Sequence, residues 1–322
     1  MLELPPLRFL PILRQYLWGD RRLAELGKPL GDGDHYAESW EVVDHGNDQS
    51  IVAEGPLAGT RLHELVTRHG AALVGRHHPQ PQFPLLFKYL DCQQTLSVQV
   101  HPNDHEAAKL DPPDRGKTEA WVVLDAAPGS KIYAGLKLGV DRATLERKLA
   151  IGEVEECLHQ FEPKVGDCVF IEAGTVHALG AGLLVAEIQQ ASDTTFRLFD
   201  WNRVDRDGKL RPLHIQQALD TIDYSRGPVN PQRPQPTDKP HVERLVTCDK
   251  FVLDRWRIDK AQRLVSENRF HIVATIEGVV AMNEEDGTNQ LRRGDTVLVP
   301  AGCREVELVP RGRSVVLDMY LP

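Results

Sequence analysis

The sequence predicts a mainly β protein made of two similar all-β domains with a few short helices. Three observations lead there. Short runs of alternating apolar and polar residues, separated by Gly-, Asp- and Pro-rich turns, recur along most of the chain. One element occurs twice without gaps: Gly166-Asp-Cys-Val-Phe-Ile-Glu-Ala-Gly174-Thr-Val-His177 matches Gly294-Asp-Thr-Val-Leu-Val-Pro-Ala-Gly302-Cys-Arg-Glu305. Gly227 to Pro240, GPVNPQRPQPTDKP, is too rich in proline for a helix or a central strand. It reads as a linker, or as an extended connection over the surface. The expected division is a catalytic domain with helical additions over 1–235 and a second domain over 236–322.

Taken in order, the chain opens with strand-like runs such as Glu38-Ser-Trp-Glu-Val-Val43 between turns. Thr60 is placed to cap a helix over Arg61–His69, with Leu62, Leu65 and Val66 on one face. Phe83–Leu90 reads as a buried strand. Leu96-Ser-Val-Gln-Val-His101 alternates as a half-buried strand, so Gln99 and His101 share a face. A turn-rich loop follows, and a second strand begins near Lys117-Thr118-Glu119. Asp141 caps a helix through Leu149, and another helix is expected over Glu153–His159. Strands are expected at 166–171, 182–188 and 194–199, then a helix over Ile215–Ile222. Beyond the proline-rich segment, 242–321 is nearly all strand.

Composition narrows the class. The 322 residues, with 41% hydrophobic content, suffice for ordinary cores. A net charge of -9 with no long basic block argues against nucleic acid. Five widely spaced cysteines without a C-x-x-C read as reduced thiols in a cytoplasmic protein. The apolar N-terminus is broken by Glu3, Arg8, Arg14 and prolines, so it reads as neither signal peptide nor membrane span. The expected partner is a small molecule, in a monomer or weak homodimer.

The repeat points to a site. His177 ends its first copy where Glu305 ends the second, so chemistry is expected in the first domain only. The spacing of the first copy resembles the second motif of the cupin superfamily, a double-sheet jelly roll. Glu172 stands where that motif has proline. Gln99, His101 and Glu119 fill the place of the first cupin motif. Four metal ligands follow from the resemblance: Gln99, His101, Glu119 and His177. Two imidazoles and two oxygen donors suit zinc first, with iron and manganese as alternatives.

Residues 187–203, EIQQASDTTFRLFDWNR, form a polar run suited to a cavity wall. This run, with LSVQVHPND, GKTE, GTVHALG and ESWEV in the same order, closely resembles the type I phosphomannose isomerases over essentially the whole chain. The likeness is to their compact bacterial form. It implies zinc-dependent interconversion of mannose 6-phosphate and fructose 6-phosphate through a cis-enediol, one Zn2+ per chain. It carries the same four ligands over, and adds Lys117, Glu187, Asp193 and Arg197 as active-site residues. Trp18-Gly19-Asp20 departs from the family's Trp-Gly-Gly.

In such an isomerase Lys117 and Glu187 are candidate proton carriers, and Arg197 can hold the phosphate or an enediolate oxygen. Glu187 could instead be a simple strand ion pair with Arg197. Three alternatives remain at this level: a bicupin oxidoreductase using iron or manganese, a silent sugar-binding or regulatory cupin, and, ranked above both, the same fold and site acting on a different sugar. The polar 187–203 wall opposes the first, and the intact ligand set and Arg197 oppose the second. His77-His78 reads as a solvated loop, and Cys168 as core packing.

Overall fold

The computed structural model describes residues 4–204, 208–283 and 289–322. Four sheets dominate it. A six-stranded sheet runs in the order Cys168–Ile171, Glu119–Ala126, Leu183–Gln190, Leu85–Cys92, Tyr36–Val42, Ile12–Asp20. With it goes a five-stranded sheet in the order Leu158–Phe161, Ile132–Leu136, His177–Leu179, Val98–Val100, Phe196–Phe199. The second half repeats the plan. Its large sheet runs Thr296–Val299, His271–Glu277, Ser314–Tyr320, Val252–Ile258, Val242–Thr247, Gln235–Pro236. Its small sheet runs Gln290–Arg292, Val279–Met282, Glu305–Pro310, Gln262–Val265. The large sheets match strand for strand, and the small sheet of the second half lacks a counterpart of Phe196–Phe199. Among the described residues every pairing is antiparallel, the arrangement of two cupin jelly rolls.

The repeated element explains the likeness locally. Gly166 and Gly294 both have positive φ, +89° and +96°, a region that side chains with a Cβ rarely adopt. The aspartate after each glycine then accepts a hydrogen bond three residues back: Lys164 N to Asp167 Oδ2 at 2.8 Å, and Arg292 N to Asp295 Oδ2 at 2.7 Å. Each turn therefore launches its strand in the same direction.

Burial follows the layers. Alternate residues of the first large sheet, including Trp121, Val123, Val169 and Val185, pack inside the first barrel with Ile132, Ala134 and Leu179. The intervening residues, including Phe87, Tyr89, Val122 and Ala186, pack outward. They share a core with Leu253, Ile272, Leu317 and Met319 of the second large sheet and with Leu62, Leu65 and Val66. Leu85–Cys92 and Leu183–Gln190 are therefore buried at every position. On the outside of the five-stranded sheet, Val98 and Val100 meet Leu145, Ala218 and Leu219 from two short helices. Gln99, between the two valines, faces the barrel interior.

Two local expectations are corrected. The helix at Leu62–Val74 has Arg61 at its N-cap with no side-chain cap, so Thr60 does not start it. The segment after Glu153 makes only a 3-10 turn, Val154–Cys157, before turning into the strand Leu158–Phe161. Its apolar Val154, Cys157 and Leu158 are satisfied by packing on the five-stranded sheet, which a longer helix would prevent. The Asp141 cap holds: its Oδ1 accepts from Thr144 N at 2.8 Å, over Arg142–Ala150. The proline-rich segment lies against the first barrel, with Val229 N on Ala134 O and Gln232 N on Cys168 O, and ends in the strand Gln235–Pro236.

Candidate functional site

Strand geometry assembles the site. His177 sits directly opposite Gln99 on neighbouring strands of the five-stranded sheet, and Gln99 is opposite Arg197 on its other side. Glu119 starts a strand of the large sheet, opposite Ile171. Across the barrel, Glu119 reaches both imidazoles: its Oε2 is 3.5 Å from His101 Nε2 and its Oε1 is 3.3 Å from His177 Nε2. The Gln99 amide lies 3.3 Å from His177 Nε2. Among the described residues, His101, Glu119 and His177 form the group of His, Cys, Asp or Glu able to share one metal ion, with ligand atoms within 4.8 Å of one another.

The tautomers are set from behind. His101 Nδ1 donates to Thr194 O at 3.0 Å, and His177 Nδ1 donates to Thr175 O at 2.9 Å. Both Nε2 lone pairs therefore point at the same place. His101 Nε2 and Glu119 Oε2 are buried with no hydrogen-bond partner. Orphaned acceptors of this kind are costly unless something electropositive joins them. Burial lowers the basicity of both imidazoles, helped at His101 by the Lys117 charge, and brings His177 to about 4. Burial likewise pushes the Glu119 carboxyl upward. Two neutral imidazoles and a carboxylate suit a divalent cation, so the donor set fits a metal.

A cavity of about 260 Å3 opens over this group, lined by Gln99, Glu119 and His177 together with Lys117, Glu187, Asp193 and Arg197. His101 lies just behind its floor. Lys117 Nζ is 3.4 Å from Glu119 Oε2. Glu187 is buried, and burial pushes its carboxyl to about 7. Its cation is not Arg197 but Lys88, whose Nζ lies 3.3 Å from Glu187 Oε1 and 3.2 Å from Glu38 Oε2. Glu187 Oε1 makes no hydrogen bond. Asp193 is exposed at the mouth. Arg197 donates to Pro212 O at 3.0 Å, leaving a buried Nε without a partner. Arg211 joins it on the wall and is fixed to Asp200 by paired hydrogen bonds of 2.7 Å.

Sequence reasoning misses Lys88, Glu38 and Arg211. Lys88 had a legible signal, because it is the one charge inside the apolar run Phe83–Leu90. Its burial on a central strand requires anionic partners. Glu38 and Arg211 carry no comparable local mark. His77 lies in a 3-10 turn and does not line this cavity. Cys168 packs in the core, where burial pushes its thiol up to about 12.

Comparison with known proteins identifies the family. A family model described as phosphomannose isomerase type I, catalytic domain, matches residues 7–120, and one described as mannose-6-phosphate isomerase, cupin domain, matches 241–318. The chain is 35% identical to mannose-6-phosphate isomerase ManA of Bacillus subtilis, covering 97% of this chain and 98% of that protein. It is 32% identical to a mannose-6-phosphate isomerase of Streptococcus mutans, covering 89% and 90%. A crystal structure of the mannose 6-phosphate isomerase from Bacillus subtilis superposes with a TM-score of 0.90 at 28% identity, over 99% of this chain and all of that one. The chain belongs to the type I phosphomannose isomerase family and is an isomerase.

Proposed function

We propose that this chain reversibly converts mannose 6-phosphate to fructose 6-phosphate through a cis-enediol, with one Zn2+ held by Gln99, His101, Glu119 and His177. The observation that supports this most is the pair of imidazole Nε2 atoms, locked by two backbone carbonyls and aimed at Glu119 beneath a polar cavity. When bound, the ion supplies a Lewis acid for the sugar oxygens. The chain's own groups do the rest. Glu187 and Lys117 stand on the cavity wall, where they can move the proton between C1 and C2. Lys88 holds Glu187 in place and balances its charge. Arg197 and Arg211 present guanidinium groups for the phosphate. Asp193, at the mouth, is placed to accept from a sugar hydroxyl.

The same reading takes 1–235 as the catalytic, metal-binding domain and 236–322 as a second cupin domain without a metal site. It places the protein in the cytoplasm, as a monomer or weak homodimer. Its five cysteines are free, and no helix among the described residues is long and apolar enough to cross a membrane. The test is a coupled assay of fructose 6-phosphate formed from mannose 6-phosphate, with chelator and then with zinc returned. Turnover lost and restored supports the proposal. A folded, zinc-loaded protein with no turnover on this sugar overturns it.

A further inference from the structure

We propose that Asp114 is a positioning residue that orients the metal ligand His101 by clamping the bend at Ser192–Thr194. This rests on the metal-dependent reading above. The loop 101–118 joins two strands that contribute to the site, and Asp114 lies in it, away from the cavity. Its Oδ2 accepts from Thr194 Oγ1 at 2.6 Å and from Ser192 Oγ at 2.9 Å. Its Oδ1 accepts from Arg115 N at 2.7 Å and meets His45 Nε2 at 3.1 Å. One carboxylate thus collects four donors from three stretches of chain.

The clamp has a chemical target. Thr194 O is the atom that takes the His101 Nδ1 proton, so its position determines both the tautomer and the plane of the ring. The bend precedes the strand Phe196–Phe199, so no sheet ladder holds Thr194. Ser192 Oγ also accepts from Thr194 N at 3.3 Å, which makes Asp114, Ser192 and Thr194 a closed ring of bonds. Asp193 rides between the two clamped residues and faces the cavity mouth. His177 has a different arrangement. Its orienting carbonyl belongs to Thr175, two residues away in its own turn, so it needs no remote support. His101 alone depends on a carbonyl from a distant segment, and Asp114 supplies the fixed point.

The test compares wild type, Asp114→Asn, Thr194→Val and Thr194→Ser, each titrated with Zn2+ against a chromophoric chelator. Asp114→Asn is expected to weaken Zn2+ binding by about 10- to 100-fold. Thr194→Val should move affinity the same way, and Thr194→Ser should restore it, because the hydroxyl is what Asp114 holds. The visible spectrum of the Co2+-substituted protein should change in Asp114→Asn and Thr194→Val, a signature that loss of stability alone does not give. At saturating metal, kcat should fall more than KM rises. If wild type binds Zn2+ and Asp114→Asn binds it as tightly with the same Co2+ spectrum, the clamp is overturned. If Asp114→Asn does not fold, equal affinity of Thr194→Val and Thr194→Ser overturns it. A wild type that binds no Zn2+ instead overturns the metal reading itself.

Discussion

The two barrels share a register and differ in what they place at equivalent positions. The repeat aligns Ile171 with Val299, and their strand partners are Glu119 and His271. The same ladders align Gln99 with Val265, His177 with Glu305, Glu187 with Asp318, and Lys88 with Asp254. In the first barrel these side chains converge and leave acceptors unpaired. In the second, His271 Nδ1 is bound to Asp318 Oδ1 at 2.7 Å, and Asp254 is taken by Arg244 and Tyr320. Val265 and Glu305 lie at the surface. The loops differ as well: 101–118 separates the two ligand strands in the first barrel, and only 266–270 does so in the second. A shared scaffold therefore does not make a shared site. The first barrel leaves polar groups unsatisfied around one point, whereas the second pairs His271 with Asp318 and Asp254 with Arg244 and Tyr320.

The largest contrast should come from truncating equivalent residues. Glu119→Ala should lower kcat/KM by at least about 1,000-fold, as expected when a metal ligand is lost. His271→Ala should leave turnover unchanged but cost roughly 3–5 kcal/mol in urea unfolding, because Asp318 stays buried without its partner. Comparable activity losses in both would break the comparison.

Next in size is Lys88→Met. It strands Glu38 and Glu187 in the interior, so a stability loss of about 3–5 kcal/mol is expected with a fall in kcat. Saturating Zn2+ should come next, raising the thermal midpoint by the equivalent of about 2.7 kcal/mol at a hundredfold excess over Kd. Scanning calorimetry would show no such rise in His101→Ala.

A smaller effect is expected in acid. Burial disfavours the Asp114 charge, but donors from His45, Thr194, Arg115 and Ser192 outweigh it and hold the carboxyl below its ordinary 3.8. A depressed carboxylate stabilises the fold fully above the unfolded value and loses that contribution as pH falls through the folded one. The stability gap between wild type and Asp114→Asn should therefore shrink below about pH 4. It should also shrink as pH rises above about 6.5, because the Asp114 carboxylate raises the His45 imidazole and that contribution is lost as His45 deprotonates. A gap that widens on acidification below about pH 4 would contradict the assignment of donors. The smallest expected effect is none. Carrying the ligand set across, as Val265→Gln, Glu267→His, His271→Glu and Glu305→His, should produce no tight Zn2+ site by calorimetry, since three of these positions are exposed.

Much of this was legible in the chain. Period-two alternation put Gln99 and His101 on one face, and the gapless repeat revealed two barrels before any coordinates. Glycines at obligatory positive φ and an aspartate that closes each turn are local chemistry, so local sequence determines them. The family motifs brought Lys117, Glu187, Asp193 and Arg197 to the same cavity. Thr60 and the 153–159 helix misled because propensity is a weak prior beside packing.

What tertiary structure alone decided are the relations between distant segments. Lys88, not Arg197, is the cation of Glu187, because adjacent strands of one sheet set them side by side. Asp114 reaches Thr194 across the fold, and Thr194 in turn sets the face of His101. The two large sheets pack back to back through a shared core, which no periodicity reveals, since a strand buried on both faces reads only as apolar. Sequence determines which groups the chain can offer and which face of a strand each takes. Three-dimensional packing determines which of those groups remain unpaired, and in this protein His101, Glu119, Glu187 and Arg197 bring such unpaired atoms together at the candidate site.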